Sequence, residues 1–263
     1  MRTLTAAALS ALMLLSFGGP ALAASPPAND EMAQATTIGS IPFSATPDLS
    51  AATLEPGENA DCLFVSARSV WYRYVVPARQ ILQVEIASSD PDAGVRIYYE
   101  YSGSPPILGN CVALQFSPFT LMVAPVTTLW FQVTTNTGTL ATLSITSLPL
   151  LTMSATIDPT ATYDAKAGTV TATGTITCNL EASSAGVFVV LYQRQGRSVA
   201  VSQGWAFPTC GPSTSRWTAT LYGAVKAGGA SAEWHADANV SGPPDQAATF
   251  SGPTTTISVK KRG

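Results

Sequence analysis

Charge is scarce in this 263-residue chain: Asp, Glu, Lys and Arg make up 11% of it, and they balance to a net charge of −3. Long amphipathic helices usually carry Glu and Lys on their wet face, so the composition argues against them. Lys and Arg form no stripe, and a weakly acidic chain has no field with which to hold a phosphate backbone. Nucleic acid is therefore not an expected partner. Histidine occurs once, as His235. A catalytic base must reach a nucleophile, and no Gly-x-Ser-x-Gly elbow accompanies it. Glycine-rich phosphate loops are missing too; the glycines stand singly or in turn pairs such as Gly228-Gly229. No catalytic residues and no cofactor are expected from such a chain.

Long apolar runs are absent beyond the N-terminus. There Arg2 precedes an apolar stretch from about Ala6 to Phe17, followed by Gly18, Gly19, Pro20 and the small-residue pattern Ala21-Leu22-Ala23. This reads as a secretory signal peptide over residues 1–24, cleaved after Ala23 or Ala24. The stretch falls short of the ~20 residues that a bilayer span needs. The expectation is a secreted, extracellular protein with no membrane insertion after cleavage.

Cysteine is rare but even in number: Cys62, Cys111, Cys178 and Cys210. In an exported chain such a set reads as disulfides. A zinc site would want close Cys or His pairs, and the intervals here are 49, 67 and 32 residues, so no metal is expected from them. Three pairings exist on paper. Cys62–Cys111 with Cys178–Cys210 is favoured, because each bridge then lies inside one half of the chain. Each would add about 4 kcal/mol in the chain-entropy account.

What is plentiful is Thr, Val, Ala, Ser, Gly and Pro, the mixture of short strands joined by turns. Strand-like runs fall at 38–43, 70–76, 81–87, 95–101, 121–123, 129–134 and 140–146. Around Leu148-Pro149-Leu150-Leu151 the rhythm resets. A second set follows at 153–163, 169–178, 187–194, 198–206, 217–222, 230–238 and 254–260, with Gln195-Gly196 as a hairpin turn. The fold class predicted is all-β: two β-sandwich domains in tandem, jelly-roll-like over 25–148 and immunoglobulin-like over 152–263, with one disulfide each. The short apolar link near Pro149 predicts limited reorientation of the two.

The stretch Ser69-Val70-Trp71-Tyr72-Arg73-Tyr74 raises the question of a binding face. Alternation puts Val70, Tyr72, Tyr74 and Val76 on one side and Trp71 and Arg73 on the other. The first side reads as sandwich core. Trp71 with Arg73 is the candidate ligand face, since an Arg head above a Trp ring offers a stacking surface; core packing is the competing reading of Trp71. A solvent-exposed Trp71 or Trp205 beside a groove would favour carbohydrate binding. Glu85, Asp90, Asp92 and Glu100 are the carboxylates from which a hydrolytic pair could be drawn. Asp90 and Asp92 could also contribute to a calcium site, though a solvated turn is the simpler account. In 232–237, alternation turns Trp234 and Ala236 inward and His235 outward with Glu233 and Asp237.

Asn29-Asp30, Ala33, Ile38, Pro42-Phe43, Asp48, Ala52-Thr53, Glu55-Pro56-Gly57-Glu58 and Ser69 to Tyr74 together resemble the opening of the β-sandwich modules related to pre-peptidase C-terminal domains of secreted bacterial proteins. The later pattern Ile97-Tyr98-Tyr99-Glu100-Tyr101-Ser102-Gly103 fits the same resemblance, which covers roughly 28–147. It implies a non-catalytic appendage for attachment, secretion or substrate binding. Relatives often place acidic residues after the later cysteine, where a cation could be held; Asn110-Cys111-Val112-Ala113-Leu114 has none, a departure that puts a calcium site in doubt here. Residues 152–260, through Gly174 to Cys178, Val189 to Gln193, Cys210-Gly211-Pro212 and Arg216-Trp217, are similar to an immunoglobulin-like domain of unknown function in secreted actinobacterial proteins. The expected function is a secreted, non-catalytic binding or adhesion module for an extracellular polysaccharide or protein. The alternatives are an accessory hydrolase using first-domain carboxylates and a purely structural envelope protein.

Overall fold

The computed structural model describes residues 25–58, 62, 64–101 and 104–262. The predicted signal peptide lies outside the described residues, as do Ser102 and Gly103. The architecture is all-β. Residues up to 148 supply β1 (Thr36–Thr37), β2 (Phe43–Ala45), β3 (Arg68–Val75), β4 (Gln80–Ala87), β5 (Gly94–Glu100), β6 (Ile107–Ala113), β7 (Phe119–Val123), β8 (Thr128–Thr135) and β9 (Thr142–Leu148). They form two sheets, ordered β2-β9-β4-β7 and β1-β3-β8-β5-β6. Without the short parallel edge β1, this is the strand order of a jelly roll. Val70, Tyr72, Tyr74 and Val76 join Leu82, Val84, Phe131 and Ile145 in one buried cluster between the sheets. Alternating apolar positions fit the pairing, because a one-residue slip would turn Val70, Tyr72, Tyr74 and Val76 out of this cluster.

The second half supplies β10 (Met153–Ile157), β11 (Thr160–Asp164), β12 (Thr169–Cys178), β13 (Ser184–Gln195), β14 (Ser198–Ala206), β15 (Ser215–Gly223), β16 (Gly228–Val240), β17 (Gln246–Ser251) and β18 (Thr255–Lys261). Here the expected pair of separate sheets is corrected. Pairings run β12-β11-β18-β16-β13-β14-β15 and return from β15 to β12, closing seven strands into a barrel. Closure arises because β11 pairs antiparallel with β12 but parallel with β18, while β15 pairs with both β12 and β14. The interior is filled by Val187, Val189, Leu191, Trp217, Leu221, Trp234 and Ile257, a cluster distinct from the first.

Several element boundaries differ from the sequence reading. The run 153–163 breaks into β10 and β11 at Asp158-Pro159, since Pro has no N–H for a ladder. The run 38–43 is largely loop. Strands β1, β6 and β17 were not anticipated: all three are edge strands, and in β6 and β17 the side that alternates inward is only partly buried over most of its length. Gly196 takes φ 63° between β13 and β14, as the hairpin turn requires.

Candidate functional site

Both proposed disulfides form, with Cα–Cα distances of 5.8 Å for Cys62–Cys111 and 5.3 Å for Cys178–Cys210. The first bridge decides the fate of the candidate ligand face. It ties Cys62 to β6, and Glu58, Phe64 and Ser66 lie over the outer side of the β3-β8-β5-β6 sheet. Trp71 is left only 2% exposed. Its indole N–H donates to Glu58 Oε1 at 2.6 Å, and its ring packs against Tyr98 at 5.3 Å. The Arg73 head lies 5.3 Å from the ring of Trp130, its direct cross-strand neighbour, instead of over Trp71. Trp71 and Arg73 therefore make no shared platform. Alternation placed them on the outward side correctly; what it could not show was the chain folded across that side.

Beneath this cover lies a buried polar cluster. Arg96 is fully buried, donating to Gln132 Oε1 and Ser66 Oγ, with its head 4.9 Å from the Phe64 ring. Glu58 also accepts from Ser69 Oγ at 2.7 Å and from Gln132 Nε2 at 3.3 Å. Glu55 stands next to it, hydrogen-bonded with Glu58, partly buried and facing the charges of Glu58 and Asp30. These push its carboxyl up to about 7.

The carboxylates singled out in the sequence do not converge. Glu85 is exposed on β4, in one sheet, while Glu100 ends β5 in the other and accepts from the Trp130 indole. Asp90 is buried and accepts the backbone N–H groups of Asp92, Asn136, Thr137 and Gly138. Burial raises its pKa, but these four donors outweigh burial and hold it below the usual carboxylate value. Asp92 accepts from Asn136 Nδ2. Among the described residues no three His, Cys, Asp or Glu side chains are grouped to hold a metal ion.

A different face carries the exposed aromatics. On β13, Phe188 lies directly opposite Trp205 of β14 and His235 of β16, and all three point away from the barrel core. Ring centroids are 4.6 Å apart for Phe188–Trp205, 5.3 Å for Phe188–His235 and 5.8 Å for Trp205–His235. Phe207, two residues beyond Trp205, lies parallel to it at 6.2 Å. Trp205 is 48% exposed, Tyr222 68% and Phe207 80%. The ladder between β14 and β15 stops at Gln203↔Tyr222. Beyond its end lies a groove of about 540 Å³, with Phe188, Gln203 and Trp205 on one side and Thr218, Thr220 and Tyr222 on the other. Gly204 forms part of it, and a Cβ there would collide with the Thr220 carbonyl oxygen. Among the described residues no charged side chain lines this groove. His235 stays outside it, edge-on to Trp205.

No family model and no curated protein matches the chain. Of this site the sequence reading had named Trp205 and the outward side of His235. It missed Phe207, two residues beyond Trp205, and also Phe188 and Tyr222, which are distant in sequence and join the site only through the β13-β14-β15 pairing. The readable signal was an aromatic in phase with polar residues: Gln203 and Trp205 alternate with buried Ser202 and Ala206.

Proposed function

We propose that the protein is a secreted, non-catalytic binding module that attaches to an extracellular or cell-envelope polymer through the aromatic face around Trp205. The observation that carries this reading is the half-exposed Trp205 beside an open groove, grouped with Phe188, Phe207 and Tyr222. A cluster of exposed large aromatics marks an interaction surface more often than a neutral one, because each ring still has water to lose. The leader-like N-terminus and two disulfides support an extracellular address. The oxidised mature chain should be depleted from solution by isolated envelope fractions. The Trp205→Ala variant should be retained about tenfold less, with an unchanged melting temperature because the side chain packs no core. Equal retention of both proteins, or retention of neither, overturns the reading.

A further inference from the structure

We infer that the groove at Trp205 accepts a neutral glycan, an inference that rests on the attachment role proposed above. Three features of the lining select this class. First, the aromatic side, Phe188 and Trp205, offers flat apolar area to a ligand that has a flat apolar patch of its own. A pyranose ring presents such a patch in its C–H face, which gains by leaving water. Second, the polar lining is Gln203, Thr218, Thr220 and Tyr222, all exposed. Hydroxyl and carboxamide groups both donate and accept, which matches ligand hydroxyls that also do both. Third, the lining contains no Lys, Arg, Asp or Glu. A charged polymer would lose hydration on entering and find no opposite charge to replace it.

The same features exclude other occupants. An extended peptide would add as a strand along the free side of β14, satisfying its own backbone donors there. Gly204 already lies against the Thr220 carbonyl, closer than any side chain could, so no strand fits between. An acyl chain wants an enclosed apolar slot, whereas this groove is open and edged by hydroxyls.

The test is a titration of the oxidised mature chain, followed by tryptophan emission, with three soluble polymers: a neutral β-glucan, anionic polygalacturonate and cationic chitosan. Each is measured at low and at high salt. The expected result is binding of the neutral polymer with less than about twofold change in Kd between salts. Trp205→Ala and Tyr222→Ala should each weaken it about tenfold or more. Gln203→Ala, which leaves the rings in place, should weaken it about threefold or more. Binding of a charged polymer alone, falling steeply with salt, overturns the neutral class yet leaves attachment at Trp205 standing. Binding of none of the three by a protein that envelope fractions still deplete also overturns the glycan class. Failure on polymers and envelope fractions together removes the underlying attachment role as well.

Discussion

Trp71 and Trp205 both occupy outward positions on their strands, yet one ring is enclosed and the other faces water. The difference is local chain, not strand geometry: Glu58 closes over Trp71, and among the described residues none covers Trp205, which stays 48% exposed. Each tryptophan therefore has its own mutational signature. Trp71→Phe keeps a ring but removes the 2.6 Å hydrogen bond to the Glu58 carboxylate. A charge-assisted bond of this kind is worth about 1.5–3 kcal/mol, and the Glu58 oxygen is left without that donor. The expected outcome is a loss of about 2 kcal/mol in urea unfolding, read from the midpoint at constant slope. Trp205→Ala should stay within about 0.5 kcal/mol of the parent. A Trp71→Phe variant as stable as the parent would show that the enclosure does not hold the ring in solution.

At the scale of elements, the decisive feature is that Thr53, Glu58, Phe64 and Ser66 lie over β3, β5 and β8. Asn29 exchanges bonds with the backbone of Trp71, Asp30 accepts from Thr53 N and Oγ1, and Glu58 accepts from Ser69 and Trp71. These residues had carried the family resemblance, and they meet in one network that fixes the cover. Their spacing in the sequence was legible; the network they build was not, because its bonds join residues 11 to 42 positions apart that no strand alternation relates. Strand existence was legible from alternation for β3, β4, β5, β12, β13 and β16, whose buried faces are largely apolar. Barrel closure was not, since it rests on partner choices of β11 and β15 that leave no local pattern. The cover also carries a pH dependence. Glu55 takes a folded value of about 7 against an ordinary 4.5. Its contribution is therefore complete below about pH 4.5 and is lost as pH rises through about 7. Asp90 acts in the opposite sense: its lowered pKa contributes above the ordinary carboxylate range and is lost in acid. Stability should peak in weak acid and fall between about pH 5 and pH 8. Glu55→Gln should flatten the fall by removing the ionisation beside Glu58 and Asp30. Urea midpoints at the two pH values decide it, and an undiminished fall in the variant would sink the assignment to Glu55.

At the scale of the whole molecule, two cores are joined by residues 149–152 between β9 and β10. That link is held at nearly every residue by the second half. Leu151 is buried in the barrel cluster, and its N–H donates to Gln246 Oε1 at 2.6 Å. Asn179 takes the Thr152 N–H at 2.7 Å and donates to the Leu150 carbonyl at 2.8 Å. Thr120 of β7 donates to the Pro243 carbonyl at 2.6 Å, adding a direct contact between the halves. Flexibility needs unconstrained dihedrals, and here Pro149 fixes its own φ while Leu150 to Thr152 are engaged on the barrel. Small-angle scattering on residues 25–263 should therefore give a narrow distribution of dimensions. The double variant Asn179→Ala, Gln246→Ala should broaden it without changing the fold of either half, because both side chains serve the link. A broad, extended distribution in the parent would mean that these bonds do not hold the link in solution. A narrow one makes the first half a fixed extension of the barrel, so that, under the attachment role proposed above, a polymer seated at Trp205 would orient the whole molecule.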